Sequence, residues 1–222
     1  MLQPFMHILN AQRIVLASGS PRRKLILENI GLNIEVMPST FEENLDKAKY
    51  TPPDYVVQTA MFKTQEVAER LSQSGMVPDL IIGADTVVSQ GNEIFEKPRD
   101  KKDAVRILSQ LSNCSHTVYT GVVLYVPSTS LLMSKGSTAL NGAYRCTSFV
   151  ESTSVHMAHL SQDVINAYIE TGESMDKAGA YGIQAIGGTL VEKINGDYFN
   201  VMGFPLARFA KEIASLYEGV TN

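Results

Sequence analysis

The sequence lacks several features that would direct it to particular classes of protein. Of its 222 residues only Cys114 and Cys146 are cysteines, and this pair matches neither a disulfide scaffold nor a zinc finger. No apolar run approaches the roughly 18–20 residues of a membrane-spanning helix. Residues 1–12 lack the charged start and long apolar segment of a signal peptide. We therefore expect a soluble cytoplasmic protein with no membrane partner.

An excess of positive charge is also missing. The 23 acidic residues outnumber the 19 basic ones, which gives a net charge of −4 and no general basic surface for nucleic acid. We expect no nucleic-acid partner, and any anionic ligand must be held by local cations. The length suits one large domain or two small ones. We predict a single domain over residues 13–222, preceded by an extension (1–12) outside the core, for which a mitochondrial address is an alternative.

The first informative stretch follows a predicted buried strand over residues 14–17. Ser20 is placed to cap a helix, and Pro21 suits its first position because proline lacks the N–H that would be unpaired there. Arg22 and Arg23 then lie in the first helical turn, where the helix dipole already gives positive potential. This arrangement favours a bound phosphate, which arginine contacts with two N–H groups. The alternative is an exposed arginine pair at a helix end.

The second stretch, residues 80–88, predicts a central strand that contains a carboxylate. A buried Asp85 needs a cation, a hydrogen-bond network or a proton, because an isolated buried charge is costly. One alternative is an aspartate bonded to backbone N–H groups at a kink formed by Gly83. The hairpin turn that follows this strand is expected to bring Glu96 and Lys97 close to Asp85.

Three further segments contribute polar groups. A loop carries the adjacent acids Glu42 and Glu43. A helix over residues 51–71 is predicted to bury Val57, Ala60, Thr64, Val67, Ala68 and Leu71. Lys63, at the edge of that face, either extends to water or faces a cleft, where its charge suits a phosphate oxygen. A glycine-rich loop offers the charge of Lys177 and the amide of Gln184.

The remaining pattern predicts a scaffold. Strands are expected over 33–37, 116–126 and 144–155, and a last hairpin over 188–194 and 198–202. Helices are expected over 100–111, 161–170 and 205–217. Residues 127–142 have the composition of a long loop. His116 is interpreted as a hydrogen-bonded structural residue.

Taken in order, Ser18–Arg23, Gly83–Thr86, Glu96–Pro98 and Asp176–Gln184 resemble the motifs of the Maf nucleoside triphosphate pyrophosphatases. The resemblance covers about Arg13 to Tyr217. It implies an α/β fold related to the inosine-triphosphate pyrophosphatases, with an elongated mixed β-sheet, flanking helices, a deep cleft between two lobes and a homodimer. Ser174 departs from the family pattern, which commonly has proline there, and the 127–142 loop is longer than in bacterial members.

The resemblance also implies a reaction, the hydrolysis of nucleoside triphosphates to monophosphate and pyrophosphate with a divalent cation. Asp85 aligns with the family's proton acceptor. Arg22, Thr86 and Gln184 match the specificity positions of the branch that acts on dTTP and UTP. The amide of Gln184 can both donate to and accept from a uracil-type edge.

A triphosphate carries about four negative charges, and positioned cations lower the barrier to its cleavage. We expect the phosphates to be held by Arg23, Lys63, Lys97 and Lys177, with help from Ser18. Mg²⁺ or Mn²⁺ is expected on Asp85, with Glu42 and Glu96 as further carboxylates. Asp85 is a base, a metal ligand or both. The alternative function is a nucleotide-binding regulator of cell division with incidental hydrolysis, but a carboxylate among the cations favours chemistry.

Overall fold

The computed structural model describes residues 1–128, 138–140 and 144–217. Its strands are β1 Ile14–Leu16, β2 Glu35–Val36, β3 Leu80–Gln90, β4 Glu93–Phe95, β5 Ser115–Pro127, β6 Thr138–Leu140, β7 Tyr144–Met157 and β8 Val191–Asn195. Its α-helices are α1 Met6–Leu9, α2 Pro21–Asn29, α3 Pro52–Gln73, α4 Lys101–Leu111, α5 Gln162–Glu170, α6 Tyr198–Val201 and α7 Leu206–Tyr217. No helix within these described ranges is both long and apolar enough to cross a bilayer.

The strands form one mixed sheet in the order β2-β1-β3-β5-β7-β6, with β4 on β3 and β8 on β7. β1 runs parallel to both of its neighbours, β2 and β3, whereas the long strand β5 is antiparallel to both β3 and β7. The predicted mixed α/β sheet with flanking helices is therefore confirmed.

One edge of β3 is interrupted in the middle. β1 pairs with β3 over residues 80–82, and β4 pairs with the same edge over residues 88–90. No strand in the described part of the chain pairs with residues 83–87 on this edge, while β5 covers the opposite edge throughout. We call this interruption the β3 gap. It places Asp85 beside open space at the end of β1.

The two main core clusters lie at opposite ends of the long strands. One includes Ala84 and Val122, and the other includes Val88 and Val118. Because alternate residues of a strand face one side, Thr86 and Thr120 fall between the clusters on this face. Their hydroxyls hydrogen-bond at 2.9 Å. A polar pair thus separates two apolar bodies, as a cleft between two lobes requires.

Helix α3 packs on the other face of the sheet with close backbone contact. A Cβ at Gly83 would lie 1.7 Å from Thr64 Oγ1, and one at Gly121 would lie 2.7 Å from the Val56 backbone. These glycines therefore allow α3 to approach the sheet. Lys63, which precedes Thr64, is brought beside Asp85 as a result.

Several predictions of local structure are wrong. Tyr198–Val201 is helical rather than a strand, and Asp197 caps it through its side chain and the Phe199 N–H. The strand predicted over 33–37 contains only Glu35 and Val36. On α3, Tyr55 and Val56 are buried and Val57 is only partly so. Most of the predicted 127–142 loop lies outside the described residues.

The N-terminal segment also differs from expectation. Leu2 and Leu9 are buried in the cluster that contains Leu27 and Tyr217. The Tyr217 hydroxyl donates a hydrogen bond to Gln12 Oε1. Residues 1–12 are therefore part of this core rather than an extension outside it.

Candidate active site

A cleft of about 530 Å³ opens at the β3 gap. Its walls are the loop after β1, the end of β4 and the Asp176–Gln184 loop. The sequence-predicted residues that line it are Ser18, Arg22, Arg23, Lys63, Asp85, Thr86, Glu96, Lys97, Lys177 and Gln184. The structure therefore brings together all the residues proposed from sequence except Glu42.

Asp85 lies at the centre of a charge cluster in this cleft. It is 6% exposed, and its Oδ1 accepts a hydrogen bond from Lys63 Nζ at 2.8 Å. Lys63 also lies 2.8 Å from Glu43 Oε1. Burial raises the pKa of Asp85, while the charge of Lys63 opposes that rise and the charge of Glu43 adds to it. A raised pKa makes the Asp85 carboxylate a stronger proton acceptor.

Glu43, rather than Glu42, reaches the cleft. The Glu42 carboxylate is exposed and accepts a hydrogen bond from the Asn44 side chain at 3.5 Å. The prediction that Glu42 joins Asp85 is therefore not supported by the geometry. The sequence offers no signal to choose between adjacent glutamates on a loop, because loop residues follow no fixed periodicity.

Arg23 is buried, and four of its five N–H groups already donate to acceptors within the protein. Its Nε donates to the Gly203 carbonyl at 2.9 Å, and Nη1 donates to Ser18 Oγ at 2.9 Å and to the Ala84 carbonyl at 2.8 Å. Nη2 donates to Thr86 Oγ1 at 3.0 Å. Since a guanidinium has five N–H groups, one remains. Arg23 therefore shapes the loop after β1 and cannot grip a phosphate with two N–H groups, as the sequence suggested.

The start of α2 differs from the prediction that Ser20 caps the helix through its side chain. The Ser20 side chain makes no capping hydrogen bond, although Ser20 occupies the cap position. Instead the Ser20 N–H donates to Ser18 Oγ at 3.3 Å. Ser18 Oγ, which also accepts from Arg23 Nη1, therefore orders the turn before α2 without capping the helix.

Arg22 points into the cleft and meets an acid that the sequence reasoning did not assign. Its Nη1 lies 3.0 Å from Asp176 Oδ2, and its Nη2 donates to the Asp176 carbonyl at 3.1 Å. Lys177 Nζ lies 2.7 Å from Asp176 Oδ1. Burial raises the pKa of Asp176, but the hydrogen bonds from Lys177 and Arg22 outweigh it and lower that pKa overall. Asp176 is therefore ionised at neutral pH.

Glu96 and Lys97 differ in how far their side chains are engaged. Glu96 Oε1 accepts a hydrogen bond from Tyr55 at 2.7 Å, and its Oε2 lies 2.5 Å from Lys47 Nζ. Burial and the hydrogen bond to Glu96 raise the pKa of Tyr55, so its hydroxyl remains a donor. Lys97 lines the cleft without a hydrogen bond or ion pair to any described residue. Of the two, Lys97 has its donors available for a ligand.

Thr86 and Gln184, the other two residues at the predicted specificity positions, differ in whether their hydrogen-bonding groups are already occupied. The Thr86 hydroxyl is occupied by Thr120 and Arg23. The Gln184 side chain lines the cleft and has no hydrogen-bond partner among the described residues. Gln184 therefore retains both a donor and an acceptor for a ligand.

The donor set of the cleft fits a hard divalent cation. The described residues contain no cluster of three or more histidine, cysteine or acidic side chains. Asp85 and Glu43 nevertheless both face Lys63 at the same place. Mg²⁺ is commonly held by one or two carboxylates together with substrate phosphates, and Asp85 and Glu43 are the residues here that could supply those carboxylates.

Comparison with known proteins identifies the family of this chain. The model of the family described as Maf-like protein matches residues 13–216. A human protein named probable bifunctional dTTP/UTP pyrophosphatase/methyltransferase protein is 48% identical over 218 residues, which are 97% of this chain and 34% of that protein. This chain thus spans about a third of the human relative.

Bacterial relatives are covered almost completely. The dTTP/UTP pyrophosphatase of Dictyoglomus turgidum is 43% identical over 198 residues, covering 89% of this chain and 92% of the relative. That of Clostridium perfringens strain SM101 is 40% identical, with 90% and 95% covered. The Staphylococcus aureus Ham1 structure matches with a TM-score of 0.43 at 13% identity, over 81% of this chain and 79% of that chain. On the family match over residues 13–216 and the identity to the bacterial pyrophosphatases, the chain belongs to the Maf-like protein family.

Proposed function

We propose that this chain hydrolyses nucleoside triphosphates, with dTTP and UTP as substrates, to nucleoside monophosphate and pyrophosphate. The observation that carries the proposal is the buried Asp85 carboxylate, paired with Lys63, in a cleft that Arg22, Lys97 and Lys177 also line. The names of relatives at 40–48% identity support the choice of substrates.

The reaction assigns a separate task to each side of the cleft. Water attacks the α-phosphorus, a P–O bond forms, and the bond to the bridging oxygen breaks so that pyrophosphate departs with the electron pair. Asp85 accepts the proton of the attacking water, a role favoured by its raised pKa. Lys97, Lys177 and Arg22 neutralise the phosphate charges, which increase on the leaving group.

Further parts of the proposal concern the metal and the cellular form. Asp85 and Glu43 would hold Mg²⁺ or Mn²⁺, which supplies additional neutralisation of phosphate charge when bound. The carboxylate of Glu96 is already bound by Lys47 and Tyr55. We therefore assign Glu96 to supporting the cleft wall rather than to binding the metal ion. The family resemblance supports a cytoplasmic homodimer.

The experiment is a panel of nucleoside triphosphates with and without Mg²⁺, in which released pyrophosphate and orthophosphate are measured separately. We expect pyrophosphate to be released from dTTP and UTP. The turnover rate should fall by about 10²–10⁴-fold in Asp85→Asn. Asp163→Asn, an exposed acid at the start of α5, is the matched control and should retain activity. Orthophosphate as first product would contradict the proposal, and tight binding without cleavage would favour the regulator.

A further inference from the structure

The mouth of the cleft is bridged by one carboxylate. Asp176 lies between Arg22, at the start of α2, and Lys177, its neighbour in the glycine-rich loop, with contacts of 3.0 and 2.7 Å. The Asp176 side chain is 59% exposed, whereas the side chains of Arg22 and Lys177 are 25% and 13% exposed. Exposed ion pairs contribute little to stability, so stability alone does not account for this arrangement.

The contacts determine the orientation of both cations. Arg22 uses one nitrogen for the Asp176 carboxylate and the other for the Asp176 backbone carbonyl, which defines the plane of the guanidinium. Lys177 Nζ also donates to the Glu173 carbonyl at 2.5 Å. A Cβ at Gly182 would lie 2.6 Å from Lys177 Cε, so a glycine is needed for the lysine to follow this path.

Neither cation is exhausted by these contacts. Arg22 has used two of its five N–H groups, and Lys177 has used two of three. Both side chains line the cleft, so their remaining donors are available to an anion there. Long basic side chains lose rotamer freedom when they are ordered, and a cation that is ordered in advance avoids that entropic cost on binding.

We propose that Asp176 is a positioning residue that orients Arg22 and Lys177 for the polyphosphate of the substrate. This inference rests on the proposed function, because it identifies how that cleft is organised for a nucleoside triphosphate. Asp176 touches neither the α-phosphorus nor the attacking water in this scheme and acts only through the two cations.

The sign of the effect separates positioning from simple electrostatics. If Asp176 acted only as a negative charge near the phosphates, its removal would strengthen the binding of polyphosphate. If it orients the cations, its removal weakens binding although the cleft becomes more positive. Asp176→Asn keeps the shape of the side chain and removes the charge.

The first measurement is the binding of inorganic pyrophosphate by calorimetry to the full chain and to Asp176→Asn. We expect binding to weaken by about tenfold, and the KM for UTP to rise by a similar factor while kcat changes by less than about threefold. Glu170→Gln is the control, since it breaks an exposed 2.8 Å ion pair with Lys101 away from the cleft. Both variants should melt close to the parent.

A double variant tests the route of the effect. In an Arg22→Ala background, Asp176→Asn should weaken pyrophosphate binding by a clearly smaller factor than in the parent, because one of the two partners of Asp176 is gone. Tighter or unchanged pyrophosphate binding by Asp176→Asn would overturn the inference, as would full additivity with Arg22→Ala. A parent that binds pyrophosphate but releases none from any nucleotide would refute the proposed function while leaving the binding test of Asp176 decisive.

Discussion

The ammonium group of Lys63 lies 2.8 Å from the Asp85 carboxylate because helix α3 meets strand β3 at Gly83, with no side chain between them. This contact couples the packing of the fold to the charge state of the proposed base. Lys63 opposes the rise that burial causes in the pKa of Asp85. Changes to either partner should therefore be visible in the pH dependence of activity.

Lys63→Met is expected to move the acidic limb of the kcat/KM profile to higher pH. Loss of the lysine removes the main influence that lowers the pKa of Asp85, so the carboxylate stays protonated to a higher pH. Lys97→Met is the control, since it also removes a cleft cation but makes no contact with Asp85. Rates for UTP across pH 4–9 provide the measurement. Identical limbs in the two variants would refute the coupling.

Glu43→Gln and Glu42→Gln form a matched pair of adjacent substitutions. We expect the first to lower kcat/KM by about 10–100-fold and to raise the Mn²⁺ concentration needed for half-maximal activity, because Glu43 faces Lys63 and Asp85. The second should stay within about twofold of the parent. Equal losses in both variants would contradict the assignment of Glu43 to the site.

Gly83→Ala should destabilise the protein by about 1–3 kcal/mol or more, because the new methyl group overlaps Thr64 Oγ1. Adding Thr64→Ala removes the atom at 1.7 Å and leaves contacts of 3.0 and 3.1 Å. The double variant should therefore recover part of the loss. Urea unfolding measures both. A Gly83→Ala variant as stable as the parent would contradict the close packing of α3.

Ser174→Ala is expected to raise the free energy of unfolding by about 1 kcal/mol. The side chain is fully buried, and its hydroxyl has no hydrogen-bond partner among the described residues. Ser112→Ala is the control, because Ser112 Oγ accepts from the Leu160 N–H at 2.8 Å. That variant should lose about 1 kcal/mol. A loss of stability in Ser174→Ala would show that the hydroxyl has a partner.

Stability should fall as pH decreases from about 6.5 to about 4, partly because of His116. Burial lowers the pKa of His116 to about 4, so the unfolded chain binds the extra proton first over this interval. His116 contributes at most about 3 kcal/mol to this change in the free energy of unfolding. His116→Phe with Tyr181→Phe removes the titrating ring together with its hydrogen-bond partner at 2.7 Å. The free energies of unfolding at pH 7 and pH 4.5 should then differ less than in the parent. The control His7→Gln, at an exposed position, should retain the parent's difference.

The sequence predicted the elements whose signals are local and repeated. Residues 80–88 formed the central strand because a dense apolar run has few alternatives. Tyr198–Val201 is misassigned from the sequence because aromatic and branched residues favour strands, and because Asp197, whose side chain caps the helix, falls between the two strands of the predicted hairpin. The burial of residues 1–12 had a usable signal, since Leu2, Phe5, Met6 and Leu9 follow helical spacing.

The composition of the site was easier to predict than the contacts within it. Motif order identified the residues that line the cleft, but orientation depends on partners distant in sequence. Arg22 and Arg23 are neighbours on one helix, and yet Arg23 turns inward to carbonyl oxygens of Ala84 and Gly203 while Arg22 meets Asp176. Nothing in the local sequence distinguishes these two guanidinium groups.

The β3 gap has a consequence for self-association. An unpaired strand edge is a template on which another polypeptide can add its own backbone, and this one cannot be covered without closing the cleft. Arg23 Nη1 already occupies the carbonyl of Ala84 at that edge. An incoming strand would have to expel a buried guanidinium from its four acceptors. Arg23, which shapes the loop after β1, therefore also opposes the addition of another strand at the β3 gap.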